Sequence, residues 1–326
     1  MEYVNSVNTL KGDDVLLRRP VILLLLLLAG MVLGAAVYLA TRRPVAQSSP
    51  SAIAPVRRPP PTSTVAETVH SIDVARMQAH VGKLAGEIGV RREGTKAEQA
   101  AASYVRQQLT ACGYTVTTVP VTLPNGLKSM NVLAELPGES PRTILIGAHL
   151  DSHAPAPGAN DNASGVAVVL ELARVLRRSR PHCTLLFAGF GAEEHSRPGD
   201  RFHHFGSRVL AKNAALRKRL AGMVSLDMVG YGTVLHIDNQ GWASNRRRDE
   251  IGAVARAMGL PVRVRRSKPQ SDHEAFERQG IPVAYLHWER DPAYHRRADT
   301  PAHIQPECLR RTAELMVRTL LNARTR

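Results

Sequence analysis

Three side chains that could bind a metal ion follow one apolar run near the middle of the chain. The run, residues 143–148, leads directly into His149 and Asp151, and Asp161 comes shortly afterwards within the segment 159–165. The run predicts a buried strand, and open α/β sheets build their sites at the carboxyl ends of such strands. Histidine and carboxylate groups at that edge are the side chains that a hydrolytic metal centre needs.

Three later apolar runs also end in acidic or histidine side chains. Their candidate residues are, in chain order, Glu193, Glu194, Asp227, Tyr294 and His295. Two adjacent glutamates at a strand end repel each other and lose hydration, which is costly unless a cation or a proton-transfer role compensates it. One aspartate at a strand end is usually a turn or helix-cap residue. Four successive apolar runs that each end in candidate ligands, however, predict a single metal centre.

The elements that must position these residues alternate along the chain. Helical spacing of apolar residues predicts helices at 97–111, 164–177, 246–258 and 306–322. Strands are predicted at 114–123, 131–136, 143–148, 184–190, 222–228 and 282–287. Asp272 and His273 are interpreted as a helix start that buttresses the site. The alternation predicts an α/β fold with a mostly parallel central sheet flanked by helices on both faces.

The motifs together resemble the co-catalytic zinc aminopeptidases. This group includes secreted bacterial leucyl aminopeptidases, aminopeptidase Y, glutamate carboxypeptidase and transferrin-receptor-like proteins. The matching motifs are His149-x-Asp151, Gly158-Ala159-x-Asp161-Asn162-Ala163-Ser164-Gly165, Glu193-Glu194, Asp227, Ser271-Asp272-His273-x-x-Phe276, Gly280-Ile281-Pro282, Tyr294-His295 and Asp299-Thr300. The resemblance covers roughly residues 70–322 and implies a zinc-exopeptidase-like fold.

The resemblance implies two zinc ions per chain. Asp161 would bridge the two ions, His149 and Asp227 would complete one site, and Glu194 and His295 would complete the other. Zinc takes about four nitrogen or oxygen ligands, and a catalytic site keeps one position for water. Cobalt and manganese also suit these donors, so the sequence does not fix the native metal.

The resemblance also assigns catalytic roles to three residues. Glu193 would be the general base, which takes a proton from the water bridging the metals and passes it to the leaving amine. Asp151 would orient the imidazole of His149. Tyr294 would donate a hydrogen bond to the tetrahedral intermediate.

Two departures from the family pattern fall near the expected substrate cleft. In the family a Gly-Ser segment closely follows the Glu-Glu pair, whereas here Gly206-Ser207 comes after an inserted loop, residues 195–205. The loop histidines are interpreted as solvated, with binding of metal or substrate as the alternative: His195, His203 and His204. Arg296-Arg297 stands where the family has Thr-Pro. Side-chain specificity therefore does not follow from the resemblance.

The N-terminal region predicts a membrane anchor. Residues 20–40 are uncharged and include six consecutive leucines, and a helix of about twenty residues spans the hydrocarbon core of a bilayer. A cleaved signal peptide, the alternative, normally has a shorter apolar region. We therefore expect a tail at 1–19, a transmembrane signal-anchor helix at 20–40, a Pro-rich linker at 41–64 and the catalytic domain at 65–326.

Orientation of the anchor does not follow from charge, because arginines lie on both sides of the apolar stretch. We expect a single-pass protein with its catalytic domain outside the cytoplasm, since a signal-anchor followed by a hydrolase usually exports that hydrolase. The lipid bilayer would contact residues 20–40. The family resemblance supports the same orientation.

The distribution of charge and the spacing of the cysteines limit the partners and cross-links that the sequence predicts. The chain carries 43 basic and 28 acidic residues, a net charge of +15. The basic residues are scattered as arginine pairs without interleaved aromatics, so no nucleic-acid partner is predicted. Cys112, Cys183 and Cys308 lack a metal-binding spacing, and one disulfide between two of them stays open. The oligomeric state is not indicated.

The sequence thus predicts a membrane-anchored dinuclear zinc exopeptidase, an aminopeptidase acting on peptide substrates through a metal-bridging hydroxide. One alternative is a glutaminyl-peptide cyclotransferase, which shares the implied fold and uses a similar ligand set with one zinc ion. A carboxypeptidase or another zinc amidohydrolase is a further alternative. A non-catalytic receptor-like module is the last, although relatives that lose activity usually lose ligands or the base, and all of these are present here.

Overall fold

The computed structural model describes residues 63–194, 203–289 and 291–322. The predicted tail, the apolar stretch at 20–40, most of the linker and His195 lie outside the described residues. Within the described ranges, every helix is too short or too polar to cross a membrane.

One mixed sheet of eight strands forms the centre of the described part of the chain. The strands are β1 (Val116–Thr122), β2 (Lys128–Leu136), β3 (Ser140–His149), β4 (Cys183–Phe190), β5 (Leu220–Leu226), β6 (Leu235–Asn239), β7 (Val262–Arg266) and β8 (Val283–Trp288). Their order across the sheet is β1-β2-β4-β3-β5-β8-β6-β7.

The sheet is mixed: four of its seven strand pairs are parallel, so the expectation of a mostly parallel sheet holds only in part. The four central strands, β4, β3, β5 and β8, are mutually parallel, and β6 is parallel to β7. The pairs β1–β2, β2–β4 and β6–β8 are antiparallel. A short turn at 123–127 joins β1 to β2, and a connection of this length produces a hairpin. The candidate site residues lie at the centre, where the four parallel strands are neighbours.

Helices cover both faces of the sheet, as predicted. They are α1 (Val65–His70), α2 (Val74–Val81), α3 (Lys96–Ala111), α4 (Gly165–Leu176), α5 (Phe205–Ala211), α6 (Ala214–Arg219), α7 (Arg246–Ala257), α8 (His273–Glu277) and α9 (Pro306–Asn322). Two π-helical segments, Gly82–Ile88 and Ala159–Ser164, and a 3-10 turn, Pro301–His303, complete the described helical structure.

Alternate residues of the central strands build two separate cores. Ile144 and Ile146 of β3 face a core shared with α2, α3, α4, α7 and α9. Leu145 faces the opposite core, shared with α5, α6 and α8. Side chains of a strand alternate between the two faces of its sheet, so the continuous apolar run of β3 is buried on both sides. A strand buried in this way holds its last residue, His149, rigidly.

The three cysteines are free thiols, which leaves the disulfide alternative without support. Cys183 is buried at the start of β4, as expected of an inert core residue. Cys308 is buried in α9, and Cys112 lies at the end of α3.

Candidate metal centre

The carboxyl ends of the four parallel strands meet at one edge of the sheet, and the predicted metal ligands lie there. His149 ends β3, Asp227 directly follows β5, Glu194 follows β4 and His295 follows β8. Asp161 comes from the π-helical segment that precedes α4. All five line one cavity of about 620 Å³. The chain thus brings together residues from five separate segments.

Asp161 lies between two histidines. Its Oδ1 atom is 3.1 Å from Nε2 of His149, and its Oδ2 atom is 3.2 Å from Nε2 of His295. His149 Nε2 is also 3.4 Å from Oδ1 of Asp227, and His295 Nε2 is 3.0 Å from Oε1 of Glu194. The donors form two groups that share the Asp161 carboxylate. Each group offers donors from three residues for a metal ion, and Asp161 is common to both groups.

The centre contains more buried carboxylates than its histidines can balance. Burial raises the pKa of Glu194, and repulsion from Asp161 adds to the increase. Burial likewise raises the pKa of Asp227. Burial acts in the same direction on Asp161, but hydrogen bonds from His149 and His295 outweigh it and hold the pKa of Asp161 below its usual range. Two divalent ions would compensate this excess of negative charge.

The donor set fits zinc. Oδ1 of Asp227 is buried and, among the described residues, has no hydrogen-bond partner. A buried carboxylate oxygen in this state costs free energy unless a cation or a water completes its contacts. Imidazole and carboxylate donors without thiolate are typical of hydrolytic zinc sites. His149, Asp161, Glu194, Asp227 and His295 could therefore hold the metal.

Asp151 connects β3 to the loop after β4. Its Oδ1 atom is 3.4 Å from Nδ1 of His149, which is an ion-pair contact rather than a well-formed hydrogen bond. Its two oxygens accept hydrogen bonds from the backbone N–H groups of Glu193, at 3.1 Å, and Glu194, at 2.8 Å. Asp151 therefore fixes the backbone that carries both glutamates as well as facing the imidazole.

Tyr294 is half-exposed at the rim of the cavity. Its ring stacks on that of His295, with the ring centroids 3.8 Å apart. The ring of His153 also stacks on His295, at 4.0 Å. Partial burial raises the pKa of Tyr294, and the negative charge of Asp161 adds to the increase. The hydroxyl of Tyr294 therefore stays protonated and can donate a hydrogen bond.

The interpretation of His204 as a solvated loop residue is wrong. His204 is 5% exposed, and its Nε2 atom lies 3.0 Å from Oε1 of Glu193. Its Nδ1 atom lies 3.1 Å from Oε2 of Glu274. The backbone N–H of His204 donates to the carbonyl of Glu193, so the chain returns to the sheet at this point and the imidazole is buried. The neighbouring His203 is partly buried at the cavity wall.

Two buried residues that were not among the predicted site residues hold the backbone of the site in place. The carboxylate of Asp299 accepts hydrogen bonds from the backbone N–H groups of Asn160, at 2.7 Å, and Asp161, at 3.1 Å. Arg91 is completely buried and donates to five backbone carbonyls: those of Leu84, Gly89, Leu150, Pro157 and Gly158. Asp299 belongs to a recognised motif, but no local pattern indicates the role of Arg91, because its partners Leu150, Pro157 and Gly158 are remote in sequence.

The helix start predicted at Asp272 and His273 is confirmed, since α8 begins at His273. Both residues are completely buried beside the centre. Burial raises the pKa of Asp272 to about 7, and repulsion from Glu193 adds to this. Arg296 and Arg297, which replace the usual Thr-Pro, are exposed next to His295.

Comparison with known sequences identifies a family and several relatives. Residues 131–320 match Peptidase family M28. Leupeptin-inactivating enzyme 1 of Streptomyces exfoliatus is 31% identical over 254 residues, covering 74% of this chain and 53% of that protein. Aminopeptidase YwaD of Bacillus subtilis is 31% identical over 193 residues, covering 56% of this chain and 41% of that protein. The chain thus spans about half the length of these curated relatives.

Several solved structures share the fold of this chain. A zinc aminopeptidase from Bacillus subtilis aligns with a TM-score of 0.69 at 18% identity, covering 76% of this chain and 94% of that structure. The glutaminyl cyclase of Tannerella forsythia aligns with a TM-score of 0.68 at 23% identity, covering 78% of this chain and 99% of that structure. At such low identity the likeness establishes the fold and leaves the reaction to be argued from the site.

Proposed function

The chain belongs to peptidase family M28, and from this premise we propose that it is a zinc-dependent aminopeptidase that removes N-terminal residues from peptides. The observation that carries the proposal is the position of Asp161, whose two oxygens face His149 and His295 at 3.1 and 3.2 Å. A carboxylate shared in this way could hold two metal ions, which would supply the Lewis-acid chemistry that hydrolysis needs.

We propose two zinc ions per chain. His149 and Asp227 would hold one ion, Glu194 and His295 the other, and Asp161 both. Bound zinc supplies a Lewis acid that lowers the pKa of water and polarises the scissile carbonyl. Asp151, by facing Nδ1 of His149, keeps the Nε2 lone pair directed to the metal side.

Glu193 is the proposed general base. Its carboxylate is buried at the centre, with donor atoms of His149 and Glu194 within 4.8 Å. From this position Glu193 can take a proton from the attacking water and deliver it to the nitrogen of the leaving amine. The transfer turns a poor leaving group into a neutral amine without any other acid.

His204 positions this base. Burial lowers the pKa of His204, but Glu193 and Glu274 outweigh burial and raise the pKa to about 10. The imidazolium therefore lies between two carboxylates, with Nε2 facing Glu193 and Nδ1 in an ion-pair contact with Glu274, which is itself paired with Arg278 at 2.6 Å. One oxygen of Glu193 is held by His204, which leaves the other oxygen to receive the proton.

Tyr294 is the proposed donor to the substrate oxygen. Its ring is fixed against His295, and its hydroxyl remains protonated. A hydrogen bond to the carbonyl oxygen strengthens as negative charge develops there in the transition state.

A panel of substrates tests the reaction. The full chain, loaded with zinc, would be incubated with aminoacyl chromogenic amides, with C-terminal carboxypeptidase substrates and with a glutaminyl peptide. Release from the amides that stops on chelation supports the aminopeptidase. Cyclisation of the glutaminyl peptide without amide hydrolysis would favour a cyclotransferase, the reaction named for one of the structures of the same fold.

We further propose that residues 20–40 anchor the protein in a membrane, with the catalytic domain outside the cytoplasm. The support is the uncharged apolar sequence of that stretch. Fractionation of cells that express the full chain, followed by protease treatment of intact cells, tests both points. Recovery of the chain in the soluble fraction, or protection of the domain from external protease, would contradict the proposal.

A further inference from the structure

A second cluster of histidine and carboxylate side chains lies on the neighbouring strands β6 and β8. It consists of His236 and Asp238 of β6 and His287 of β8. In the antiparallel register of these strands, His236 pairs directly with His287. Residues two apart on a strand share a face, and directly paired residues share it too. The register therefore places all three side chains on one face of the sheet.

The polar atoms of this cluster are buried and poorly satisfied. Asp238 is 0% exposed and His236 is 3% exposed. Among the described residues, neither Oδ1 of Asp238 nor Nδ1 of His236 has a hydrogen-bond partner. Oδ2 of Asp238 is 3.5 Å from Nε2 of His287 and 3.4 Å from Nε of Arg265, and both distances are long for hydrogen bonds.

Neighbouring residues leave the correct atoms available for a metal ion. Oε2 of Glu289 lies 3.0 Å from Nε2 of His236, which holds the proton on that nitrogen and leaves the lone pair on Nδ1. The ring of His287 stacks on Tyr285 at 4.6 Å, and Tyr285 stacks on His273 at 4.7 Å. The carboxylate–histidine pair and the stacked rings fix the orientation of both imidazoles.

We propose that His236, Asp238 and His287 form a site for a divalent zinc-class transition-metal ion. One donor atom from each of the three lies within 4.8 Å of the others. Zinc binds nitrogen and oxygen donors at about 2.0–2.2 Å, so the donors need to approach one another by roughly an ångström on binding. Two imidazoles, one carboxylate and a water complete four-coordination.

Access and charge allow an ion to enter this site. His236 and His287 line the same 620 Å³ cavity as the Asp161-centred ligands, with which they share no residue. Arg265 is the cation that competes for Asp238, and its side chain is 48% exposed, so it can move into solvent. A bound ion would link β6 to β8 and fix one wall of the cavity.

Anomalous diffraction from crystals of the full chain grown with zinc tests the site directly. The expected result is an anomalous peak between His236, Asp238 and His287, in addition to any at Asp161. Both His287→Ala and Asp238→Asn should remove this peak and lower the zinc content by one ion per chain. His182→Ala, at a partly exposed histidine on a distant loop, is the matched control and should change neither quantity.

Arg265→Gln provides an independent variant, because removing the competing cation should lower the Kd for zinc at this site several-fold. A water without anomalous signal between the three residues, or an unchanged zinc content in His287→Ala, would overturn the proposal. The position of the anomalous peak distinguishes a failure of this proposal from a failure of the proposed function. A peak here with none at Asp161 would refute the dinuclear centre and leave this site standing.

Discussion

Nε2 of His204 lies 3.0 Å from Oε1 of Glu193, and this contact ties the inserted loop to the proposed general base. The family pattern places a short segment at this point, whereas here the chain returns from an insertion with a buried histidine. The contact turns a departure from the family pattern into part of the site. It also gives the insertion a role that can be measured.

Substitution of His204 should lower kcat more than it raises KM. His204→Ala removes the group that fixes one oxygen of Glu193, and partners of this kind are worth about 10- to 100-fold in activity. His204→Gln, which keeps one donor, should recover part of the loss. Steady-state kinetics with zinc content measured on the same samples is the test. A loss of zinc equal to the loss of activity would assign His204 a role in metal retention instead.

Arg91 should be among the most important residues for stability. It is completely buried and donates to five carbonyls, including those of Leu150 and Gly158 on either side of the loop that carries Asp151. Arg91→Lys keeps the charge but cannot reach all five acceptors, and should lower the free energy of unfolding by about 2–4 kcal/mol.

The adjacent Arg92 provides the control, because its side chain is 56% exposed. Arg92→Lys should change the free energy of unfolding by less than about 0.5 kcal/mol. Urea denaturation of both variants in the presence of chelator measures the difference without a contribution from bound metal. Equal stabilities for the two variants would show that the buried network of Arg91 does not hold the loop.

His80 should make stability depend on pH between about 6.5 and 4. Burial lowers the pKa of His80 to about 4, and the charge of Arg76 adds to the decrease. Nδ1 of His80 is 2.6 Å from the hydroxyl of Tyr104. The unfolded chain, with a histidine pKa of about 6.5, binds the proton first as the pH falls. Stability from neutral His80 is therefore complete above about pH 6.5 and is lost as the pH falls toward 4.

The expected size of this effect at pH 5 is about 2 kcal/mol relative to neutral pH. Other groups titrate in the same range. The informative quantity is therefore how much more unfolding free energy the unaltered chain loses between neutral pH and pH 5 than His80→Gln loses. Denaturation at both pH values should show a smaller loss in the variant. If both proteins lose the same free energy, His80 is not buried in its neutral form.

The sequence predicted the residues whose contacts follow from strand ends. His149, Glu194 and Asp227 each terminate or follow a run of apolar residues, so their convergence at one sheet edge could be inferred from parallel strands alone. His204 could not be placed, because its partner Glu274 lies in a different segment, brought near by packing of α5 against the sheet and α8.

The strands β6 and β7 were not predicted from the sequence, for a related reason. The strands β6 and β7 are only five residues long and alternate apolar residues with His, Asp or Arg. His236 of β6 and Arg265 of β7 line the cavity rather than a helix-covered core, so the two runs lack the continuous apolar character of β3 or β4. The antiparallel insertion of β6 beside β8 depends on tertiary packing, which no local pattern encodes.

The central claim, that Glu193 acts as base at a zinc centre built on Asp161, is tested most directly by Glu193→Gln. Hydrolysis of a chromogenic aminoacyl amide would be compared with that of the unaltered full chain at equal measured zinc content. The account predicts chelator-sensitive release that falls by about 10²- to 10⁴-fold in the variant, since general base catalysis contributes that much. Full activity in Glu193→Gln with the zinc retained, or release that chelation leaves unchanged, would contradict it.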